Sequence, residues 1–404
     1  MPAFEEARSI VLENIIPLES QLVPLHDALG RAAAEDIAAA WDMPACDNSA
    51  MDGFAVRADD CRSLPVTLRI SGYLPAGETA TEGVEAGCAV KIMTGAPVPP
   101  GCDAVVPVEE TEENNDTVTL TRTVSPGQHI RLTGEDVAAG TLFLAAGRRI
   151  GPPEISMLAS FGKALVPVYR RARVGIVSTG DELLELGAAP RPGAIINSNA
   201  HALAAALREI GAEPVLLGIA RDNLESHREK LSAGLSCDAL ITSAGVSAGD
   251  RDLVRDVLAE LGVEQLFWKV EMKPGHPTAF GRKGNVPVFS LPGNPVSTMV
   301  TFEQFVRPAL LKMMGHTRIV RPLLKAVLTE GVKKKAGRVH FVRVEVETRD
   351  GRLYARSAGD QNTGILNTML RADAIAMLPA DRTALAAGEE VNIQLVRERL
   401  ISYE

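Results

Sequence analysis

From Arg173 to about residue 320 the chain alternates apolar β-type runs with amphipathic helices, a pattern that leaves few folds open. The runs are VGIVS, EPVLLGIA, DALITSA, QLFWKVEM and VPVFSL. Between them, Leu203, Leu207 and Ile210 share a helical face, and so do Leu253, Val254, Val257, Leu258 and Leu261. Strands this apolar are buried on both faces, and with helices between them they predict a mostly parallel, doubly wound sheet. Ligands of such sheets bind beyond the carboxyl ends of the strands. Chemistry is therefore expected in the loops that follow the runs.

The flanking segments follow other rules. MPAFEEARSIVLENII puts Phe4, Ala7, Val11 and Ile15 on one helical face, without the basic start of a signal peptide. Residues 1–43 and 139–168 are expected to form an elongated helical and extended domain, with Pro152 and Pro153 opening its second helix. Residues 44–138 carry short runs such as VTLRISGYL and TVTLTRTV between Gly- and Pro-rich turns, which predicts an inserted β-rich domain. Residues 169–320 are the α/β domain. Residues 321–404 return to alternating patterns, with a hairpin turn at Arg349-Asp350-Gly351, and predict a C-terminal β domain.

An aromatic share of 4% and a net charge of −9 argue against a general nucleic-acid surface. No run of about 18 apolar residues predicts a membrane span. Cys46, Cys61, Cys88, Cys102 and Cys237 fit neither a zinc site nor a disulfide framework, and suit a reducing cytoplasm.

Four strand-end loops stand out. Thr179-Gly180-Asp181-Glu182 is expected to set two acids at a helix start. Ser243-Ala244-Gly245-Val246-Ser247-Ala248-Gly249-Asp250, with Asp252 after it, lets backbone approach a ligand closely, although it is neither a Walker loop nor a dinucleotide fingerprint. In Lys269-Val270-Glu271-Met272-Lys273-Pro274-Gly275-His276-Pro277, strand alternation predicts that Lys269 and Lys273 share a face. Ser290-Leu291-Pro292-Gly293-Asn294-Pro295-Val296-Ser297 reads as a stiff strand-to-helix anion seat. The β-rich region adds polar turns at Asp47–Gly53, Lys91–Pro97 and Gly134-Glu135-Asp136. Asp52, Asp136, Asp181, Glu182, Asp222, Asp250 and Asp252 are oxygen donors suited to magnesium rather than zinc. Pattern alone points to a phosphate-bearing ligand with magnesium.

Seven motifs in order, DNSAMDGFAV, KIMTGAPVP, GEDV, STGDEL, SAGVSAGD, KPGHP and LPGNPVS, resemble the molybdopterin molybdenumtransferases, the family that includes the carboxy-terminal part of gephyrin. The resemblance runs from about residue 4 to the end. It implies a homodimer of four-domain subunits, with an α/β domain like that of the molybdopterin adenylyltransferases. It implies an active site shared between the β-rich domain of one subunit and the α/β domain of the other. The implied reaction inserts molybdate into adenylylated molybdopterin, with magnesium-dependent pyrophosphate cleavage and release of AMP. By matching positions, Asp52, Thr94, Asp136, Glu182, Asp222 and Asp252 would be catalytic, and Glu182 and Asp252 would hold magnesium. Ser247, Lys269, Lys273, His276, Pro292, Pro295, Arg343 and Thr363 would bind substrate or molybdate. His276 stands where many relatives have lysine, and Ala244 where many have glycine.

Two other functions fit parts of the sequence: a molybdopterin adenylyltransferase, which residues 170–320 also resemble, and a gephyrin-like scaffold. The β-rich and terminal domains count against the first. The lack of an attached second enzyme and long linker, and the presence of Asp52 and Glu182, count against the second. The expected partners are adenylylated molybdopterin, molybdate, a second copy of the chain and, transiently, the adenylyltransferase, with no nucleic acid or membrane.

Overall fold

The first helix, Phe4–Glu13, buries Phe4, Ala7 and Val11 on the face that the spacing predicts. The Glu6 carboxylate accepts the free Ala3 N–H (3.2 Å) at its start. Its last carbonyls are met by Asn14 Nδ2 on Ile10 O (2.8 Å) and Lys312 Nζ on Leu12 O (2.7 Å). Phe4 is 1% exposed and packs edge-on against Phe341, 4.9 Å between centroids, a burial worth roughly 1.5–3 kcal/mol. The computed structural model describes residues 1–244 and 253–397. It divides into two compact units: Met1–Glu35, Ala146–Ile155 and Ala164–Glu404 in one, Asp36–Ala145 and Ser156–Lys163 in the other.

In the larger unit the central sheet has the order 213–220, 173–179, 239–243, 286–291, 279–283, 264–267. The first four strands are parallel, and the last two run antiparallel at one edge. Helices Ser198–Glu209, Leu224–Gly234 and Leu253–Glu260 alternate with the parallel strands. Val174, Ile176, Ile241 and Phe289 pack into one core cluster, whereas Val177, Leu240 and Val288 pack into another, so both faces are covered. The run QLFWKVEM is not one strand. Glu264–Phe267 forms the antiparallel edge, the chain then turns, and Met272–Lys273 pairs with Val339–His340 of the C-terminal sheet. That sheet closes on itself. Strand 339–349 pairs with both 352–357 and 374–378, and the ring is completed through 324–328 and 390–395. Asp350 and Gly351, both at positive φ (48° and 73°), make the expected two-residue hairpin turn.

The smaller unit is built on a six-stranded sheet of order 104–107, 53–56, 88–92, 66–74, 117–120, 111–114. Within strand Gly53–Val56, Phe54 and Val56 enter one core cluster and Ala55 another, as side-chain alternation requires. Gly53 leaves no choice of residue: a Cβ there would lie 2.0 Å from the Val106 carbonyl oxygen.

Candidate active site

Register places the central sheet's loops side by side. Thr179 pairs with Ala220, Ser178 with Ser243, and Ser243 with Leu291, so the loops after all four strands leave from one edge. Loop-to-loop bonds tie them together: Gly180 N–H to Ala220 O (3.1 Å) and Ala244 N–H to Leu291 O (3.1 Å). Asn199 Nδ2 donates to both Ser243 Oγ (3.0 Å) and Gly293 O (2.8 Å).

At the acidic end, Gly180-Asp181-Glu182 is a tight turn followed by the short strand Leu183–Leu184, not the helix start that was expected. No helix begins here whose dipole could act on these acids. Gly180 sits at φ 132°, where glycine is favoured, and a Cβ there would displace the Glu182 carboxylate, which lies 2.2 Å from that position. Glu182 thus folds back over the turn, with its side chain exposed. Asp222 lies on the neighbouring loop, where its N–H donates to Asp181 Oδ1 (3.2 Å). Arg221, which sequence reading missed, donates through Nη1 to the carbonyls of Gly180, Asp181 and Leu183 (3.4, 3.3 and 3.0 Å). A cation capping three carbonyls fixes the turn, but no motif marks such a role in sequence. Ser247, Asp250 and Asp252 lie outside the described residues.

At the other end, Pro292 is buried and its carbonyl accepts Thr298 Oγ1 (2.6 Å), while Pro295 opens helix Pro295–Thr301. Asn294 Nδ2 reaches Thr363 Oγ1 (3.0 Å), joining this loop to the C-terminal domain. Arg343 is 0% exposed and donates to Thr368 Oγ1 (2.8 Å), Asp360 O (2.9 Å) and Asn362 O (3.3 Å). Its guanidinium holds the loop that carries Thr363 and does not face solvent.

Lys269 and Lys273 do not share the face of one strand, because the chain turns between them. Val270 N–H bonds His276 O (3.0 Å), and Met272 N–H bonds Val270 O (2.9 Å). Lys269 is half-buried and Lys273 exposed. His276 turns Nδ1 to the Val270 carbonyl (2.8 Å), which makes Nδ1 the donor and leaves Nε2 to accept from Arg338 Nη2 at 3.5 Å. Where a lysine would offer a charge, this histidine engages a carbonyl and a guanidinium. Burial, with Lys334, Lys273 and Arg338 around it, pushes neighbouring His340 down to about 4.

In the smaller unit, Asp52 Oδ1 accepts both Thr94 Oγ1–H (2.6 Å) and Thr94 N–H (2.7 Å), and these bonds lower the Asp52 carboxyl from its ordinary value. Asp136 lines a cleft of about 530 Å³ with Met43, Pro44, Asn48, Arg131 and Glu135. Among the described residues, no group of three or more His, Cys, Asp or Glu side chains is gathered as a metal site.

An edge of this kind, acids at one end and proline-stiffened turns at the other, is the ligand-binding edge of a doubly wound α/β protein. Comparison with known proteins narrows the class. Residues 3–162 match the MoeA N-terminal region (domain I and II), 175–312 a probable molybdopterin binding domain, and 325–396 the MoeA C-terminal region (domain IV). The chain is 38% identical over 400 residues to a molybdopterin molybdenumtransferase of Haemophilus influenzae, with 98% of each chain covered. It is also 38% identical over 405 residues to molybdopterin molybdenumtransferase 2 of Mycobacterium tuberculosis, covering 97% of this chain and 99% of that one. A crystal structure of the molybdopterin biosynthesis moeA protein of Pyrococcus horikoshii superposes with a TM-score of 0.85 at 32% identity, covering 98% of this chain and all of that one. The chain belongs to the molybdopterin molybdenumtransferase family.

Proposed function

We propose that this chain inserts molybdate into adenylylated molybdopterin, cleaving the pyrophosphate with magnesium and releasing AMP. The observation that carries the reading is the single sheet edge from which the acidic turn, the Asp222 loop and the Pro-Gly-Asn-Pro loop all emerge. Pyrophosphate cleavage needs charge neutralised on both sides of the bridging oxygen. An exposed Glu182, following the Asp181 that accepts the Asp222 N–H, offers oxygen donors of the kind magnesium takes together with substrate phosphates. Glu182 and Asp252 are the proposed magnesium ligands, and Asp222 orients the pyrophosphate. When bound, the ion would act as a Lewis acid on a phosphoryl oxygen. Ser247, Lys269 and Lys273 are proposed to hold phosphate or molybdate, since a dianion leaving water needs cations and N–H donors. His276, which meets Arg338 Nη2 at 3.5 Å, is proposed to orient that guanidinium toward substrate or molybdate, and Pro292 and Pro295 to stiffen the seat. Thr363 is presented by the loop that Arg343 holds. Asp52, Thr94 and Asp136 are proposed to act in the same reaction.

A homodimer is part of this reading, since isologous pairs are the commonest assemblies, and sedimentation at micromolar concentration tests it. Five free cysteines favour a cytoplasmic location. The activity test is incubation with adenylylated molybdopterin, molybdate and magnesium. AMP and a molybdenum-loaded pterin are expected. Synthesis of the adenylate from molybdopterin and ATP would instead make the chain an adenylyltransferase.

A further inference from the structure

Three aspartates stand five residues apart on one irregular segment of the smaller unit, and each reaches a different turn. Asp42 Oδ1 accepts Ala139 N–H (2.7 Å). Asp47 Oδ1 accepts Thr133 N–H (2.7 Å) and Thr133 Oγ1–H (2.8 Å). Asp52 makes the same two bonds to Thr94. Both threonines precede a glycine in the left-handed region, Gly134 at 72° and Gly95 at 82°. The segment is thus a spine with matched clamps, one for the turn at Thr94-Gly95 and one for the turn at Thr133-Gly134. Main-chain bonds complete each side: Ser49 N–H to Ala96 O (2.9 Å) on one, Gly134 N–H to Pro44 O (2.9 Å) and Asp136 N–H to Met43 O (3.1 Å) on the other.

The two clamps differ in what they hold. Asp52 is itself a proposed functional acid. The other clamp ends on Thr133, three residues before Asp136, whose carboxylate takes no hydrogen bond from any described residue. The direction of Asp136 is therefore set by its loop's backbone, which Asp47 anchors at Thr133 and Asp42 at Ala139, while Glu135 closes the loop from within by accepting the Leu132 N–H (2.7 Å). We propose that Asp47 is a positioning residue for the transfer reaction, acting through Thr133 to aim Asp136 into the cleft lined by Met43, Pro44, Asn48 and Arg131. The proposal rests on the reading that Asp136 serves that reaction. An anionic acceptor suits the task, because a carboxylate takes two N–H or O–H donors more strongly than a neutral oxygen does. The Thr133 bonds, main-chain first and then hydroxyl, hold the Asp47 carboxyl below its ordinary value, so the clamp stays charged at neutral pH.

The test is steady-state AMP release by the full-length protein, with melting temperature measured alongside. Asp47→Ala should lower kcat about tenfold to a hundredfold with a much smaller change in KM, as misplacement of a reacting group does. Asp47→Asn keeps an oxygen that can accept both bonds and should restore most of the rate, as should Thr133→Ser, whereas Thr133→Val should resemble Asp47→Ala. In an Asp136→Asn background, Asp47→Ala should add nothing, whereas a general loss of stability would still show. If Asp47→Ala fails to fold, the Asn and Thr133 variants still decide the question. Asp47→Ala at the wild-type rate, with Asp136→Asn impaired, overturns the proposal and leaves the reading of Asp136 standing. Asp47→Asn as damaged as Asp47→Ala, with Thr133→Val at the wild-type rate, also overturns it, since the Asp47 charge would then act elsewhere than through Thr133. A wild-type rate in Asp136→Asn ends both readings.

Discussion

The smaller unit and the central sheet hold their candidate residues by opposite means. On the central sheet, four parallel strands deliver their loops to one edge, and the backbone register does the positioning. Glu182 and Asp222 sit there as exposed side chains on short turns. In the smaller unit the turns that carry Thr94 and Asp136 are bound to segment 42–52 by aspartate side chains across 42 and 86 residues of sequence. A regular sheet brings its loops to one edge by register, and side chains such as Arg221 and Asn199 then secure them there, whereas an irregular β insert relies on side-chain clamps to bring its turns together. Substitutions should therefore act differently in the two places.

The largest effect is expected at Glu182. Glu182→Gln keeps size but removes charge, and AMP release should fall by about a hundredfold or more, with the melting temperature unchanged. An unaltered rate and magnesium response would remove Glu182 from the site. Gly180→Ala tests the same turn through its backbone. The residue sits at φ 132° and its Cβ would strike the Glu182 carboxylate, so the displaced acid should cost about tenfold in rate. A neutral Gly180→Ala would mean that the carboxylate swings clear and its folded-back position is incidental.

Acid should separate the two units. Burial pushes His316 and His340 of the larger unit down from 6.5 to about 4. Unfolded histidines take up protons before these buried ones do, so stability falls as pH drops from 6.5 to about 4, by at most about 1.4 kcal/mol per pH unit for each. In the smaller unit Asp47 and Asp52 are lowered from 3.8 by their threonine bonds. Their contribution is complete above that value and lost only as pH falls through the lowered one. Amide exchange between pH 7 and pH 4 should show the larger unit loosening first, and His316→Gln should blunt the effect. Simultaneous loosening would contradict the distinction. The smallest effect is expected at Ala244, which lies in the left-handed region at φ 75° where glycine carries no penalty. Ala244→Gly should raise the stability of the larger unit by up to about 1 kcal/mol in denaturant unfolding. A loss of stability would mean that the Ala244 methyl, against which a Cβ at Gly293 would lie 3.1 Å away, packs to advantage.

The same division governs what was legible in sequence. Periodicity located the first helix, the parallel strands and the loops that follow them, because buried strands and amphipathic helices are written in local pattern. The hairpin at Asp350-Gly351 was equally local. Local pattern misled where tertiary pairing took over. QLFWKVEM has the composition of one strand, yet its end is captured by the C-terminal sheet, so alternation no longer relates Lys269 to Lys273. Gly180-Asp181-Glu182 resembles a helix start, but a short strand follows it. Arg343 resembles an anion ligand, and its burial among carbonyls depends on a loop near residue 360 that no nearby pattern announces. The clamps from Asp47 and Asp52 and the carbonyl cap by Arg221 join residues about 40 or more positions apart, beyond the reach of any spacing argument.

The central claim is that both regions serve one transfer reaction. It is tested most directly by single-turnover measurement of AMP and pterin-bound molybdenum with adenylylated molybdopterin, molybdate and magnesium, in the wild type, Glu182→Gln and Asp136→Asn. The account predicts about one molybdenum inserted per AMP released in the wild type, and a loss of both products of about tenfold or more in each variant. A wild-type protein that leaves the adenylate intact, or either variant turning over at the wild-type rate, would contradict it.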